Sequence, residues 1–259
     1  MSRNFELLQQ LNGLPAAHPD AMDVFCLPNS GTAAEPATRV IPTERVATSN
    51  VSVALNAEEL RLVQRLFLDV KPSPKVVVFS ALDAGSGCTY LCARAAELLA
   101  EKTDKSVCVV DANLRNASLH RFFDVANSAG LADALLDSGE LRSYAHQVGQ
   151  GRLWLVPAGT EMPDAHTLLG STRLAGYIAE LRRNFDYVLI DSPAASLYTD
   201  SVLLGSMADG VALVMKANVS RRSAASKIVE DFSAARVRVL GAVLNQRTFP
   251  VPQAIYSRL

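Results

Sequence analysis

A glycine-rich segment that ends in a hydroxyl residue is the most chemically suggestive part of the sequence. It runs from Ser80 to Thr89 as Ser-Ala-Leu-Asp-Ala-Gly-Ser-Gly-Cys-Thr and follows a Val-rich run. A turn of this kind, between a strand and a helix, directs successive backbone N–H groups at a phosphate. Working phosphate loops end in Gly-Lys-Ser or Gly-Lys-Thr, where the lysine contacts the phosphates and the hydroxyl binds Mg²⁺. Here Gly87 and Thr89 are in place, but Cys88 occupies the lysine position.

Two aspartates follow other runs of β-branched residues. Asp111 comes directly after Val109-Val110, and Asp191 comes directly after Leu189-Ile190. Carboxylates at such strand ends hold Mg²⁺ through water and orient an attacking nucleophile. A Gly-Ser-Gly turn alone is equally typical of purely structural turns. The three segments occur in this order on one chain, however, and together they favour a nucleotide site.

Short apolar runs alternate with helical segments from Lys75 onward. These runs lack polar alternation, which predicts strands buried on both faces of a parallel sheet. The expected fold class is α/β, a doubly wound and mostly parallel sheet with helices on both faces. The predicted strands are 76–80, 106–110, 153–156, 187–190, 211–215 and 237–244, and the predicted helices are 57–69, 89–101, 131–136, 173–184, 200–207 and 221–234. Ligands of such folds lie at the carboxyl ends of the strands, where all three segments fall.

Composition and charge indicate an ordinary globular protein. Of 259 residues, 49% are hydrophobic and 20% are charged, and the net charge of -1 gives no global attraction to nucleic acid or anionic lipid. No stretch approaches the ~20 apolar residues of a membrane helix, and the N-terminus lacks the apolar core of a signal peptide, so we expect a cytoplasmic protein. Residues 1–55, rich in Ala, Pro, Thr, Ser and Asn, are expected to form a flexible tail before a folded domain at 56–259.

Two cysteines and two basic pairs have alternative interpretations. Cys88 and Cys92 are four residues apart, hence on one face of a predicted helix. A thiol at a helix N-terminus has a lowered pKa, which favours a redox or soft-metal role, whereas core packing is the simpler interpretation of Cys92. The pairs Arg182-Arg183 and Arg221-Arg222 are interpreted as solvated helix faces, with a partner-facing or membrane-facing patch as the alternative.

The ensemble of segments resembles the bacterial tyrosine kinase (BY-kinase) family, cytoplasmic ATPases of capsule and exopolysaccharide production related to the ParA/MinD group. Residues 80–89 resemble its Walker A loop, residues 109–115 its A′ motif and residues 187–193 its Walker B motif. Further matches are residues 114–123, 130–136, 153–159 and 241–248. The resemblance runs from about residue 57 to the C-terminus. It implies Mg²⁺ with ATP or ADP as the cofactor, if nucleotide is bound.

The resemblance also implies roles for individual residues. Asp111 and Asp191 would be catalytic, and with Thr89 they would bind Mg²⁺. Asn245 resembles the asparagine that contacts adenine in the family, with a plain turn asparagine as the open alternative. The implied nucleotide-binding residues are Gly85, Ser86, Gly87, Cys88, Thr89, Tyr90 and Asn245.

The helix expected within residues 56–70 resembles the oligomerisation helix of the family, which carries Glu-x-x-Arg-x-x-Arg. Glu58 and Arg61 match this pattern, Gln64 interrupts it, and Arg65 stands one position late. A homo-oligomer assembled through Glu58, Arg61 and Arg65 is therefore expected.

Departures from the family pattern shape the expected function. Lysine, aspartate and proline are typical where this chain has Cys88, Asn113 and Ala84, and Tyr256 stands alone where family kinases carry a phosphorylated tyrosine cluster. A hydrogen bond to a charged group is worth about 1.5–3 kcal/mol, so loss of the lysine weakens the hold on a triphosphate. We expect a catalytically weak or inactive, nucleotide-impaired regulator or scaffold of capsule or exopolysaccharide biosynthesis and export. It would lie at the inner membrane through a membrane-embedded polysaccharide co-polymerase or chain-length regulator.

Two alternatives stay open. The first is an active ATP-dependent tyrosine kinase or ATPase in which Lys216 or Arg115 supplies the missing cation. The second is a ParA/MinD-like positioning ATPase that acts on DNA or membrane. Such proteins usually carry an additional lysine early in the loop, where this chain has Leu82 and Asp83, and no nucleic-acid partner is expected.

Overall fold

A computed structural model describes residues 57–247 of the chain, except Ser138, Gln150 and Pro163. The expected tail at 1–55 and Tyr256 lie outside the described residues, so the predictions made for them stay predictions. In the part that the structure describes, no helix combines the length and the apolar character needed to cross a membrane.

Seven strands form one sheet in the described part of the chain. They are β1 (Val76–Ala81), β2 (Val107–Asp111), β3 (His146–Val148), β4 (Leu153–Val156), β5 (Tyr187–Ser192), β6 (Gly210–Lys216) and β7 (Val239–Asn245). Their order is β3-β4-β2-β5-β1-β6-β7. Every neighbouring pair is parallel except β3 and β4. The predicted α/β class and mostly parallel sheet are confirmed.

The helices connect these strands. The first, α1, covers residues 57–68 and ends in a π-helical turn at Gln64–Leu68. The others are α2 (Cys88–Lys102), α3 (Leu119–Phe122), α4 (Leu131–Asp137), α5 (Ala165–Leu169), α6 (Thr172–Asn184), α7 (Asp200–Ser206) and α8 (Arg222–Ala234), with a 3₁₀ turn at Leu141–Tyr144. The short elements β3, α3 and α5 were not predicted, because three to five residues are too few to establish a period.

The sheet has a hydrophobic core on each face because successive side chains of a strand point to opposite sides. Val76 and Val78 of β1 join one core, with residues of α4, α6 and α8. Val77 and Phe79 join the other, with residues of α1 and α2. All residues of β1 and β2 are buried, as the unbroken apolar runs predicted. The parallel strands therefore present their carboxyl ends at one edge, where the candidate site lies.

Candidate functional site

The phosphate loop, residues 82–87, joins β1 to α2. Gly85 and Gly87 have φ angles of 76° and 77°, the left-handed region that glycine adopts at least cost. A Cβ atom at Gly87 would lie 2.6 Å from Asn245 Nδ2, so this position also needs glycine for space. The Ser86 hydroxyl donates to the carbonyl of Asp83 at 2.6 Å. The loop is thus a tight turn that feeds directly into the N-terminus of α2, where unpaired backbone N–H groups favour an anion.

Two neighbouring segments hold the loop in place. Asn245 Nδ2 donates to the carbonyl of Ser86 at 2.8 Å, and Ser220 Oγ donates to Asp83 Oδ2 at 2.6 Å. Asn245 is fully buried, and its Oδ1 has no hydrogen-bond partner among the described residues. Asn245 is therefore more than a plain turn residue, because it fixes the loop. The contact of Asn245 with adenine stays a prediction. Its Oδ1 atom could accept a hydrogen bond in such a contact.

The structure brings together the three residues predicted to bind Mg²⁺. Asp111 and Asp191 are register partners on the adjacent strands β2 and β5. Thr89 Oγ1, in the first turn of α2, donates to Asp191 Oδ2 at 2.7 Å. Asp191 Oδ1 is buried and has no hydrogen-bond partner in the described part of the chain. One hydroxyl and two carboxylates thus lie beside the loop, with a carboxylate oxygen left to accept.

Burial raises the pKa of both carboxyl groups. Desolvation raises the pKa of Asp111 to about 6, although the backbone N–H groups of Leu119, Ser118 and Asn113 donate to it and lower the value. Desolvation also raises the pKa of Asp191 well above its usual range, and the negative charge of Asp111 raises it further. Each carboxyl group thus resists ionisation, because the cost of burying its charge exceeds what the neutral hydrogen-bond donors around it recover.

Cys88 lies within this acidic cluster. Its side chain is buried, and the thiol lies near enough to Asp191 for that carboxylate to act on it electrostatically. The pKa of Cys88 is raised well above its usual value, first by burial and then by the charge of Asp191. The expected lowering of this pKa is therefore wrong, because desolvation beside a carboxylate outweighs the favourable helix N-terminus. Cys92 is fully buried, as core packing predicted, and its pKa is also raised by burial.

The oxygen donors fit Mg²⁺, but the phosphate side of the site is incomplete. Mg²⁺ prefers octahedral oxygen ligands and is usually held by one or two carboxylates, substrate phosphates and water. Thr89, Asp111 and Asp191 would supply the protein oxygens, and the buried Asp191 Oδ1 is an acceptor that a cation would satisfy. The described residues hold no cluster of three or more His, Cys, Asp or Glu that would bind a metal without such help. At Cys88, a neutral thiol stands where the phosphates meet a lysine in working loops.

The two cations expected to replace the lysine lie in different surroundings. Arg115 forms an ion pair with Asp200, which is 1% exposed, and its guanidinium carbon lies 4.2 Å from the ring centroid of Tyr198. The second oxygen of Asp200 lies 2.9 Å from His166 Nδ1. Arg115 is thus engaged by a buried carboxylate.

Lys216, in contrast, is the last residue of β6. Its backbone N–H donates to Ser220 Oγ at 2.9 Å, and Ser220 in turn donates to Asp83 of the phosphate loop. Lys216 therefore belongs to a segment tied directly to the loop.

Tyr90 contacts neighbouring helices with its side chain. Its hydroxyl donates to Glu59 Oε1 of α1 at 3.1 Å, and its ring packs edge-on against Phe122 at 5.8 Å. The nucleotide role of Tyr90 stays a prediction and rests on its main chain. Glu59 was missed, although it lies on the same helical stripe as the buried Val63 and Leu66, an unusual place for a carboxylate.

The predicted oligomerisation residues lie on α1. Glu58 and Arg61 form an ion pair with each other, three residues apart on the helix. Arg61 and Arg65 are exposed. These positions are compatible with contact to a second copy, and the oligomer stays a prediction.

A family model described as cellulose biosynthesis protein BcsQ matches residues 75–230, more than half of the chain. This chain belongs to the BcsQ family. The matched range contains the phosphate loop and both aspartates of the site. It ends before β7, so Asn245 lies beyond it.

Tyrosine-protein kinases are similar to this BcsQ-family chain. YwqD of Bacillus subtilis is 27% identical over 194 residues, which cover 74% of this chain and 81% of YwqD. The kinase wzc of Salmonella typhimurium is 27% identical over 179 residues, 69% of this chain. The matched part is 25% of wzc, so the chain spans about a quarter of that relative.

Solved structures show the same fold. The kinase domain of the Escherichia coli tyrosine kinase ETK superposes with a TM-score of 0.64 at 21% identity and covers 78% of this chain and 76% of that one. MinD of Pyrococcus horikoshii, solved with Mg-ADP, gives 0.58 at 22% identity over 71% of this chain and 76% of that one. The predicted resemblance to tyrosine-protein kinases of this family is confirmed by the relatives, and the chain shares the fold of the ETK kinase domain and of MinD.

Proposed function

We propose that this BcsQ-family chain is a BY-kinase-like, nucleotide-impaired regulator or scaffold of capsule or exopolysaccharide biosynthesis and export. One observation carries the proposal: the buried, neutral thiol of Cys88 stands in place of the loop lysine. The remaining parts support weak binding of Mg²⁺ with ATP or ADP. These are the tight glycine turn, the N-terminus of α2 and the oxygens of Thr89, Asp111 and Asp191.

The missing charge affects turnover more than binding. Backbone N–H groups still bind phosphate oxygens, and loss of one charged hydrogen bond costs about 1.5–3 kcal/mol, or about 10- to 150-fold in affinity. Phosphoryl transfer also depends on cations that stabilise the charge developing in the transition state. Asp83 adds a negative charge to the loop itself, although Ser220 donates a hydrogen bond to it. The chain would therefore retain nucleotide feebly and hydrolyse it poorly.

The proposed partner is a membrane-embedded polysaccharide co-polymerase or chain-length regulator. The description of the BcsQ family names the biosynthesis of a polysaccharide, cellulose, which supports this general setting. The chain would then lie peripherally on the inner membrane through its partner. Co-purification of the tagged chain with such a partner from detergent-solubilised membranes tests this part of the proposal.

Isothermal titration with Mg²⁺-ATP and Mg²⁺-ADP tests the central claim. We expect weak binding by the wild-type chain and about 10- to 100-fold tighter binding by Cys88→Lys. The matched control is Cys88→Met, which lengthens the side chain without adding a charge and leaves the affinity low. Tight binding with brisk ATP hydrolysis by the wild-type chain would contradict the proposal.

An active kinase or ATPase with a relocated cation is the second candidate, and the position of Lys216 favours it. Lys216 lies on the segment that Ser220 ties to the loop, whereas Arg115 is engaged by Asp200. If Lys216 serves the phosphates, the wild-type chain will hydrolyse ATP and Lys216→Ala will abolish the activity. Absence of turnover in the wild-type chain eliminates this candidate.

A further inference from the structure

A partly buried ion pair joins α1 to the helix that follows the phosphate loop. Glu59 of α1 is 3% exposed, and its two carboxylate oxygens accept hydrogen bonds from two residues one turn apart on α2. Tyr90 Oη donates to Oε1 at 3.1 Å, and Arg94 Nε donates to Oε2 at 3.0 Å. Arg94 also forms an ion pair with Glu97 on its own helix. Glu59 is therefore a carboxylate of α1 whose polar contacts reach the first two turns of α2.

These contacts complete a clamp on the first turn of α2. Thr89 hydrogen-bonds to Asp191 on the sheet, and the next residue, Tyr90, hydrogen-bonds to Glu59 on α1. Two consecutive residues are thus held by carboxylates from two different elements. The orientation of this turn decides where the backbone N–H groups of the loop and the Thr89 hydroxyl point.

An ion pair with a buried carboxylate is an unusual means of holding a helix in place. Apolar residues of similar volume stabilise a fold as well or better, because the charges must be desolvated. α1 already has an apolar contact surface, with Val63, Leu66 and Phe67 buried in the core next to α2. Anchoring alone therefore does not require Glu59. An ion pair with directional hydrogen bonds can instead fix how one helix is positioned along another.

We propose that Glu59 is a positioning residue of the phosphate loop. It holds Tyr90 and Arg94 so that Thr89 reaches Asp191, and the position of α1 is thereby coupled to the phosphate site. The inference rests on the proposed function in one respect, namely that the loop is a phosphate site. The contacts of Glu59 themselves are present without nucleotide.

Hydrogen–deuterium exchange of the chain without nucleotide tests the proposal. The diagnostic amides are residues 91–95, starting with Leu91, whose N–H bonds to the carbonyl of Gly87 at 3.1 Å. We expect Glu59→Gln to raise their exchange rate about tenfold and to leave β2 unchanged. Tyr90→Phe serves as the second variant in case Glu59→Gln fails to fold. It removes only the hydroxyl contact, and it should raise the exchange of the same amides several-fold.

Glu97→Gln is the matched control. It makes the same substitution on the same Arg94 partner, but Glu97 belongs to α2 and does not join it to α1. We expect wild-type exchange in this variant. Unchanged exchange at residues 91–95 in Tyr90→Phe, or an equal rise throughout the protein, would overturn the proposal.

Titration with Mg²⁺-ADP separates the two proposals. If the wild-type chain binds Mg²⁺-ADP, Glu59→Gln should weaken binding several-fold while Glu97→Gln leaves it unchanged. Equal affinities of Glu59→Gln and the wild-type chain would overturn the positioning role. No binding by the wild-type chain counts against residual nucleotide binding in the proposed function, and the exchange experiment then decides the role of Glu59 alone.

Discussion

Two clusters of buried aspartate at the carboxyl end of the sheet differ in their neighbours. Asp200 is 1% exposed and is paired with the guanidinium of Arg115. Asp111 and Asp191 are buried to the same degree, but they neighbour each other and are hydrogen-bonded by neutral groups. The first cluster is thus charge-compensated. The second contains two carboxyl groups in register on neighbouring strands and hydrogen bonds from neutral donors.

The difference shows how the neighbours of a buried carboxyl group decide its protonation. Carboxylates out of water are stable when they are paired, and when unpaired they take up a proton instead. The raised pKa values of Asp111 and Asp191 are this response. Arg115 does not lower these pKa values, because its side chain is paired with Asp200.

Removal of a compensating cation should have the largest effect. Arg115→Ala leaves the buried Asp200 without its main partner, which we expect to lower the free energy of unfolding by about 3–5 kcal/mol. Urea denaturation followed by circular dichroism measures the change. The double variant Arg115→Ala/Asp200→Asn should recover at least 1 kcal/mol, because it removes the unpaired charge. A loss below about 1 kcal/mol in the single variant would show that His166 or water compensates Asp200 fully.

An Asp→Asn substitution should change the free energy of unfolding in opposite directions in the two clusters. Asp200→Asn leaves Arg115 without its carboxylate and should destabilise the protein by about 1–3 kcal/mol. Asp191→Asn removes repulsion from Asp111 and keeps an acceptor oxygen for Thr89, so it should stabilise the protein by about 1–2 kcal/mol at pH 7. Parallel urea titrations of the two variants measure both values. Destabilisation by Asp191→Asn would mean that other groups compensate the negative charges of Asp191 and Asp111 in the wild-type protein.

The pH dependence of stability should reflect the uncompensated pair. The pKa of Asp111 is raised to about 6 in the folded protein, above its unfolded value, so the native state binds the extra proton. Its contribution is therefore fully present below about pH 3.8 and is lost as the pH rises through about 6, a loss of about 1–3 kcal/mol. Other groups titrate in the same range, so the diagnostic quantity is the difference between wild type and Asp111→Asn, which lacks this titration. The unfolding free energy of the wild type should fall relative to that of the variant between pH 4.5 and 7.5, and a constant difference would contradict the prediction.

Removal of a surface ion pair should have the smallest effect. Asp104 contacts Arg152 at 2.8 Å, but its side chain is 98% exposed. Water screens such pairs, and the side chains lose entropy when they associate. Asp104→Asn should therefore leave the urea midpoint unchanged within error. A clear shift would mean that charge loss at the surface also affects stability, and it would weaken the interpretation of the buried variants.

Much of the fold was predictable because its signals are local. Unbroken runs such as Val76–Ala81 predicted buried parallel strands, and the structure confirms them. The neighbourhood of Thr89, Asp111 and Asp191 was predictable as well, since the carboxyl ends of parallel strands share one edge. The lowered pKa that the helix N-terminus suggested for Cys88 was wrong, because this pKa depends on burial and on a carboxylate about a hundred residues away.

The sequence by itself determined the order of strands and helices, the tight glycine turn and the neutral residue at its critical position. Only the tertiary structure decided which charges meet. Asp191 faces Asp111, Arg115 is engaged by Asp200, and Glu59 reaches Arg94. The reason is physical: hydrophobic periodicity is set within one turn or one strand, whereas an ion pair depends on the register in which distant elements pack.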